Sequence, residues 1–118
     1  MQLCDACTVL VDDRAVSSCC LLAADARDTD VLTIEGIAAD GRLHPLQEEF
    51  ISHGAFQCGY CTPGIIMTAY ALFLEKPKPS RKEIHEYLTG TLCRCGSYME
   101  IVDAIAAAAA RTDLLERR

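Results

Sequence analysis

The chain has 118 residues, 51% of them hydrophobic, and a formal net charge of −6 at pH 7. That length holds one ordinary domain or two very small ones, and the apolar fraction excludes a disordered chain. The acidic balance argues against nucleic acid and anionic membranes as partners, and no apolar run reaches the roughly 18 residues that span a bilayer. The start, Met1-Gln2-Leu3-Cys4-Asp5, has neither the basic nor the apolar region of a signal peptide. A cytoplasmic protein is the first expectation, with the periplasm left open.

Thr8-Val9-Leu10-Val11 is β-branched and aliphatic; Asp12-Asp13-Arg14 reads as a turn and Ala15-Val16-Ser17 as the returning strand of a hairpin. Val31-Leu32-Thr33-Ile34 predicts a third strand closed by Gly36. From Leu46 the pattern turns helical, with Leu46, Phe50 and Ile51 on one face and Gly54 as the stop. A second helix is predicted from about Pro63 to Lys76, with Thr62 as N-cap, Pro63 at the first position and Pro77 as terminator. Ser80 with Glu83 is a capping box for a third helix that Gly90 stops. Ser97 with Glu100 reads as a second capping box, opening a helix through Ile101, Val102, Ile105 and the alanines 106–110. Residues 45–118 thus read as a four-helix bundle behind a small strand-rich segment.

Eight cysteines call for an explanation. They fall in close pairs, Cys58/Cys61 and Cys93/Cys95, which suits a shared metal better than a distributed net of disulfides. Each pair stands just before a predicted helix start, where free N–H groups and a partial positive charge lower thiol pKa values and offer hydrogen bonds to sulfur. A 2Fe–2S cluster takes four thiolates. Gly59 and Gly64 are expected to let the backbone approach closely. Arg94 is either a fixed cation beside an anionic cluster or a solvated arginine. A lone C-x-x-C also fits zinc or a redox dithiol. Here it is followed, 31 residues on, by C-x-C, a less common spacing. A structural zinc scaffold remains the alternative, and a dithiol enzyme a third reading. His44, His53 and His85 are not spaced as ligands and read as surface or helix-packing residues.

Gln57-Cys58-Gly59-Tyr60-Cys61-Thr62-Pro63-Gly64 and Leu92-Cys93-Arg94-Cys95 resemble the signatures of the iron–sulfur small subunit of molybdenum hydroxylases, the family of xanthine dehydrogenase, aldehyde oxidoreductase and carbon monoxide dehydrogenase. Cys7-Thr8-Val9, Ser18-Cys19, Thr33-Ile34-Glu35-Gly36 and Ile101-Val102-Asp103-Ala104-Ile105 resemble it too, so the likeness runs along nearly the whole chain. It implies an α+β fold: a ferredoxin-like β-grasp segment over residues 1–44, here truncated, then a helical 2Fe–2S-binding domain over 45–118. It implies that Cys58, Cys61, Cys93 and Cys95 hold the cluster nearer the molybdopterin of a large partner subunit, and that Gln57 approaches the pterin. It implies a second 2Fe–2S cluster on Cys4, Cys7 and Cys19, passing electrons to FAD on a third subunit of a hetero-oligomer. The chain itself would turn over no substrate.

Four departures from the family pattern stand out. The first cysteine of C-x4-C-x2-C would fall before Met1, which suggests a start placed too late. Asp5 stands where the family has a glycine. Cys20 is an extra thiol, read as a core residue, and Gly96-Ser97 replaces the family's threonine-glycine without loss of a cap. Residues 1 to about 40 are expected to be the less stable part, with any cluster there labile.

Overall fold

The computed structural model describes residues 3–38 and 40–111; the outer ends of the two expected segments, at residues 1 and 118, lie outside them. The hairpin forms as the sequence predicts: β1 (Thr8–Val11) pairs antiparallel with β2 (Arg14–Ser17), Thr8 opposite Ser17 and Val11 opposite Arg14. The turn is tighter than expected, because Arg14 already belongs to β2. Asp12 and Asp13 alone turn the chain, at φ 48° and 66°, the left-handed pair of a type I′ turn. Asp12 also exchanges hydrogen bonds with Asp30, its amide donating to the Asp30 carbonyl (2.9 Å) and its carboxylate accepting from the Asp30 amide (3.0 Å). This delivers β3 to the other side of β1, giving the order β2-β1-β3.

β3 is only Val31–Leu32, shorter than the four residues expected. The Thr33 hydroxyl donates to the Glu35 carboxylate (2.6 Å), and the Gly36 amide donates to the Thr33 carbonyl (2.9 Å). These local bonds wind residues 34–36 into a 3-10 turn instead of extending the ladder.

Helix α1 (Pro45–Ser52) starts one residue before the expected Leu46, and its cap is His44. The His44 Nδ1 accepts the Leu46 amide (3.2 Å), Gln47 accepts the His44 amide (2.9 Å), and the imidazole meets Tyr70 edge-on with centroids 5.1 Å apart. His44 is therefore a buried packing residue, while His53 and His85 are exposed. Leu46 and Phe50 are buried, but Ile51 is exposed and does not share their face. Gly54, at φ 58°, stops the helix as expected.

Helix α2 (Thr62–Glu75) is the centre of the molecule: every residue from Gly64 to Phe73 is buried. A helix apolar on all sides must be covered on all sides. The sheet lies against it on one flank, and α1 and α3 (Arg81–Tyr87) on others. Helix α4 (Tyr98–Ala109) packs along α1 and α3, and Arg111 closes that seam with ion pairs to Glu48 (2.7 Å) and Glu49 (3.2 Å). Leu10, Ile37, Phe50, Phe73, Ile84 and Ile105 belong to one continuous apolar core.

The caps divide. The Ser80–Glu83 box forms in full. Thr62 is not an N-cap: Cys61 holds that position, and Thr62 begins the helix with its hydroxyl buried and without a partner. The Ser97–Glu100 box does not form either. Ser97 sits at φ −74° and ψ 32°, not in the extended geometry that places a cap hydroxyl over the helix amides. Gly90 has no left-handed φ and ends α3 only after a 3-10 turn over 88–90.

Candidate metal centre

The two cysteine pairs come together at the starts of α2 and α4. Cys61 is the N-cap of α2, and Cys93 and Cys95 stand in the loop that ends at Ser97, the N-cap of α4. Cys58 hydrogen-bonds with Cys95, and Cys61 with Cys93, so the four thiols meet as two pairs drawn from different loops. Among the described residues, no three His, Cys, Asp or Glu side chains converge on a single metal-ion position. Cys61 and Cys93 are buried; Cys58 and Cys95 are exposed.

Backbone amides are aimed at this sulfur set. The Tyr60 amide donates to Cys58 and, with the Cys95 contact, holds its thiol below the ordinary value of 9.0. Burial pushes the Cys61 thiol up to about 11, aided by its bond with Cys93. Burial works on Cys93 in the same sense, but the Ser97 amide, the Cys61 thiol and the amides of Gly96 and Cys95 outweigh it and bring Cys93 down. Two glycines make the loops possible. Gly59 at φ 79° and Gly96 at φ 82° are left-handed, and an added Cβ at either would meet nothing. Gly59 is thus needed for its φ and not, as the sequence suggested, for close approach. Gly64 is the glycine of close approach: a Cβ there would lie 2.3 Å from the Asp5 carbonyl oxygen.

A donor set of four thiols in two contacting pairs, with amides directed at sulfur, fits a dinuclear iron–sulfur cluster. Arg94 is exposed and, with Cys4, Ala6, Cys58, Tyr60, Cys61 and Leu92, lines a cavity of about 250 Å³ beside the site. Gln57 is exposed on the same loop as Cys58.

The N-terminal cysteines lie close by. The Leu92 amide donates to the Cys4 carbonyl (3.0 Å), tying the first loop to the residue next to Cys93. Cys7 is bound to the 3-10 turn over 18–20, its carbonyl accepting from the Ser18 hydroxyl (2.9 Å) and amide (3.4 Å). Cys20 is exposed, not a core residue. Neighbouring residues of a strand would point to opposite faces. In the 3-10 turn the Cys19 and Cys20 sulfurs are 3.6 Å apart.

Sequence reading missed two anchors of this region. The Tyr98 hydroxyl accepts the Cys93 amide (2.7 Å), and the Asp5 carboxylate accepts the Ser17 hydroxyl (2.5 Å). The first depends on the turn of the loop before α4, and the second on where two separate loops meet, and neither follows a recognised sequence motif.

A family of 2Fe-2S binding domains matches residues 33–106. The nicotinate dehydrogenase small FeS subunit of Eubacterium barkeri is 45% identical over 108 residues, covering 92% of this chain and 69% of that subunit. The chain belongs to this family, as an iron–sulfur small subunit of the molybdenum hydroxylases. The nicotine 6-hydroxylase small subunit of Paenarthrobacter nicotinovorans is 47% identical over 103 residues, covering 87% of this chain and 62% of that subunit. Quinoline 2-oxidoreductase from Pseudomonas putida 86 superposes with a TM-score of 0.87 at 41% identity, over 95% of this chain and 72% of that one. The chain thus spans roughly two thirds of the length of these relatives. It is a 2Fe–2S electron-transfer subunit, and the family match removes the zinc-scaffold alternative. No helix among the described residues is long and apolar enough to cross a membrane.

Proposed function

We propose that this chain relays electrons between a large molybdopterin-bearing partner and an FAD-bearing partner within a hetero-oligomer. Cys58, Cys61, Cys93 and Cys95 would hold one 2Fe–2S cluster, Cys4, Cys7 and Cys19 would serve a second, and Gln57 would face the pterin. The carrying observation is the meeting of Cys58 with Cys95 and of Cys61 with Cys93 at two helix starts, with backbone amides aimed at sulfur. A cluster bound there would supply one-electron storage without proton chemistry. The chain's own residues fix the thiolates and set the hydrogen bonds around them. The bond from the Leu92 amide to the Cys4 carbonyl supports a relay between the two sites, because it joins a ligand of one almost directly to a ligand of the other.

The division into a β-grasp part (1–44) and a helical part (45–118) follows the same reading, with one cluster for each. A reducing cytoplasm suits thiols that serve as cluster ligands. The substrate would be bound by the molybdopterin partner.

The test is iron and sulfide analysis with electron paramagnetic resonance of the reduced protein. Cys93→Ser should remove the signal and the iron of the helical cluster. An unchanged spectrum and iron content would refute the ligand set.

A further inference from the structure

We infer that Tyr98 is a positioning residue for the helical cluster: its phenol oxygen holds the Cys93 loop in the shape that aims backbone amides at the Cys93 sulfur. The inference rests on the ligand set proposed above and concerns how that set is tuned.

Tyr98 is the first residue of α4, so its backbone is fixed by the helix. Its side chain turns back over the loop that precedes the helix. The phenol oxygen accepts the Cys93 amide at 2.7 Å and donates to the Thr91 carbonyl at 3.3 Å. Thr91 is itself anchored, its amide (2.9 Å) and its hydroxyl (2.8 Å) both donating to the Leu88 carbonyl. One oxygen therefore clamps the entry of the loop to a fixed turn on one side and to the helix start on the other.

The exit of the loop is shaped by the left-handed Gly96 and by the Gly96 amide, which donates to the Cys93 carbonyl at 3.1 Å. Between these fixed ends the amides of Ser97, Gly96 and Cys95 reach the Cys93 sulfur. The Cys93 amide itself is engaged by the phenol oxygen. Cys93 is only 5% exposed, so water does not readily replace the phenol as acceptor. Without that oxygen the amide must find a new acceptor, and the loop must shift to provide one. Amides donated to cluster sulfur favour the reduced, more negative state. A loop that shifts and lengthens those bonds lowers the cluster's affinity for an electron.

The experiment is an equilibrium redox titration of the full, cluster-loaded chain, read by electron paramagnetic resonance, for wild type and Tyr98→Phe. The substitution removes one oxygen and keeps the ring. Electron affinity should fall about threefold, a drop of about 28 mV in midpoint potential at 59 mV per tenfold. Iron should also pass to a chelator severalfold faster. Glu83→Gln, which loosens the cap of α3, should leave the potential where it is and so separates positioning from general loss of stability. Site-specific 3-fluorotyrosine at position 98 keeps the fold and weakens the phenol oxygen as an acceptor; it should shift the potential in the same direction by less. An unchanged or raised potential in Tyr98→Phe and with the fluorinated residue overturns the role of Tyr98. If Cys93→Ser retains its cluster signal, the ligand set has failed instead, and the two failures are told apart.

Discussion

At the scale of single residues, the site depends on side chains that are missing as much as on those present. Gly64 lies inside α2, where alanine would ordinarily stabilise a helix by up to about 1 kcal/mol. Here the added methyl would stand 2.3 Å from the Asp5 carbonyl oxygen and 2.8 Å from the Ala6 carbonyl. Those are backbone atoms of the loop that carries Cys4 and Cys7, and they cannot swing away as a side chain can. Gly64→Ala should therefore destabilise the protein by a net of about 2–3 kcal/mol, read from the urea midpoint. A gain in stability would show that the N-terminal loop yields freely. At Gly90 a Cβ would lie 2.8 Å from the Asp5 carboxylate, a side-chain end that can shift, so that position is the more tolerant of the two. Asp5, at φ 52°, is seated between two glycines and bonded to Ser17. A carboxylate in the family's glycine position is accommodated by this local arrangement, and nothing in the sequence around Asp5 points to it.

At the scale of elements, the cap of α3 carries a pH dependence. Glu83 is bonded to Lys76, to the Ser80 hydroxyl (2.7 Å) and to the Ser80 amide (2.7 Å). In the same order of weight, the Lys76 bond and then the two Ser80 bonds lower its carboxyl from 4.5 to about 2. The folded state therefore favours the ionised form. Its contribution is complete above about pH 4.5 and is lost as pH falls toward 2. Glu83→Gln should melt earlier than wild type at pH 7, with the gap closing between pH 4.5 and 2. A gap independent of pH across that window would mean that the carboxylate charge does not act. The cap lies on a solvent-exposed helix start, so its effect on melting should be modest.

At the scale of the whole molecule, α2 is the shared wall between sheet and helices. The sheet has three short strands, one of only two residues, and Leu10 is its deepest apolar side chain. α2 and α4 are longer, and their buried faces interlock with α1 and α3. Amide exchange should therefore be faster in β1, β2 and β3 than in α2 and α4. Protection in the sheet equal to that of α2 would show that the N-terminal segment opens only with global unfolding. The relay reading is consistent with this gradient: the ligands proposed for the helical cluster stand on the starts of the two best-buried helices, and Cys4, Cys7 and Cys19 stand on loops tied down by a few hydrogen bonds.

The sequence by itself determined the parts that are local. The hairpin, the Gly54 stop, the Ser80–Glu83 box and the placing of both cysteine pairs before helices each rest on residues within a few positions of one another. The iron–sulfur family was legible for the same reason, because its cysteine motifs are short and contiguous. The errors were also local readings, overruled by distant contacts or by backbone conformation. Ser97 has the residue type of a cap, but its backbone is turned in the loop that wraps Cys93. Thr62 looked like a cap beside Pro63, but Cys61 took that place. Cys20 reads as a core residue, but a 3-10 turn leaves it exposed with its sulfur beside that of Cys19. Only the tertiary structure decided which thiol meets which, why Gly64 must be a glycine, and that Tyr98 holds the Cys93 amide. The first two depend on chain segments far apart in sequence meeting within a few ångströms, and the Tyr98 bond, across only five residues, depends on how the loop before α4 folds back over the helix start; no pattern along the chain records either.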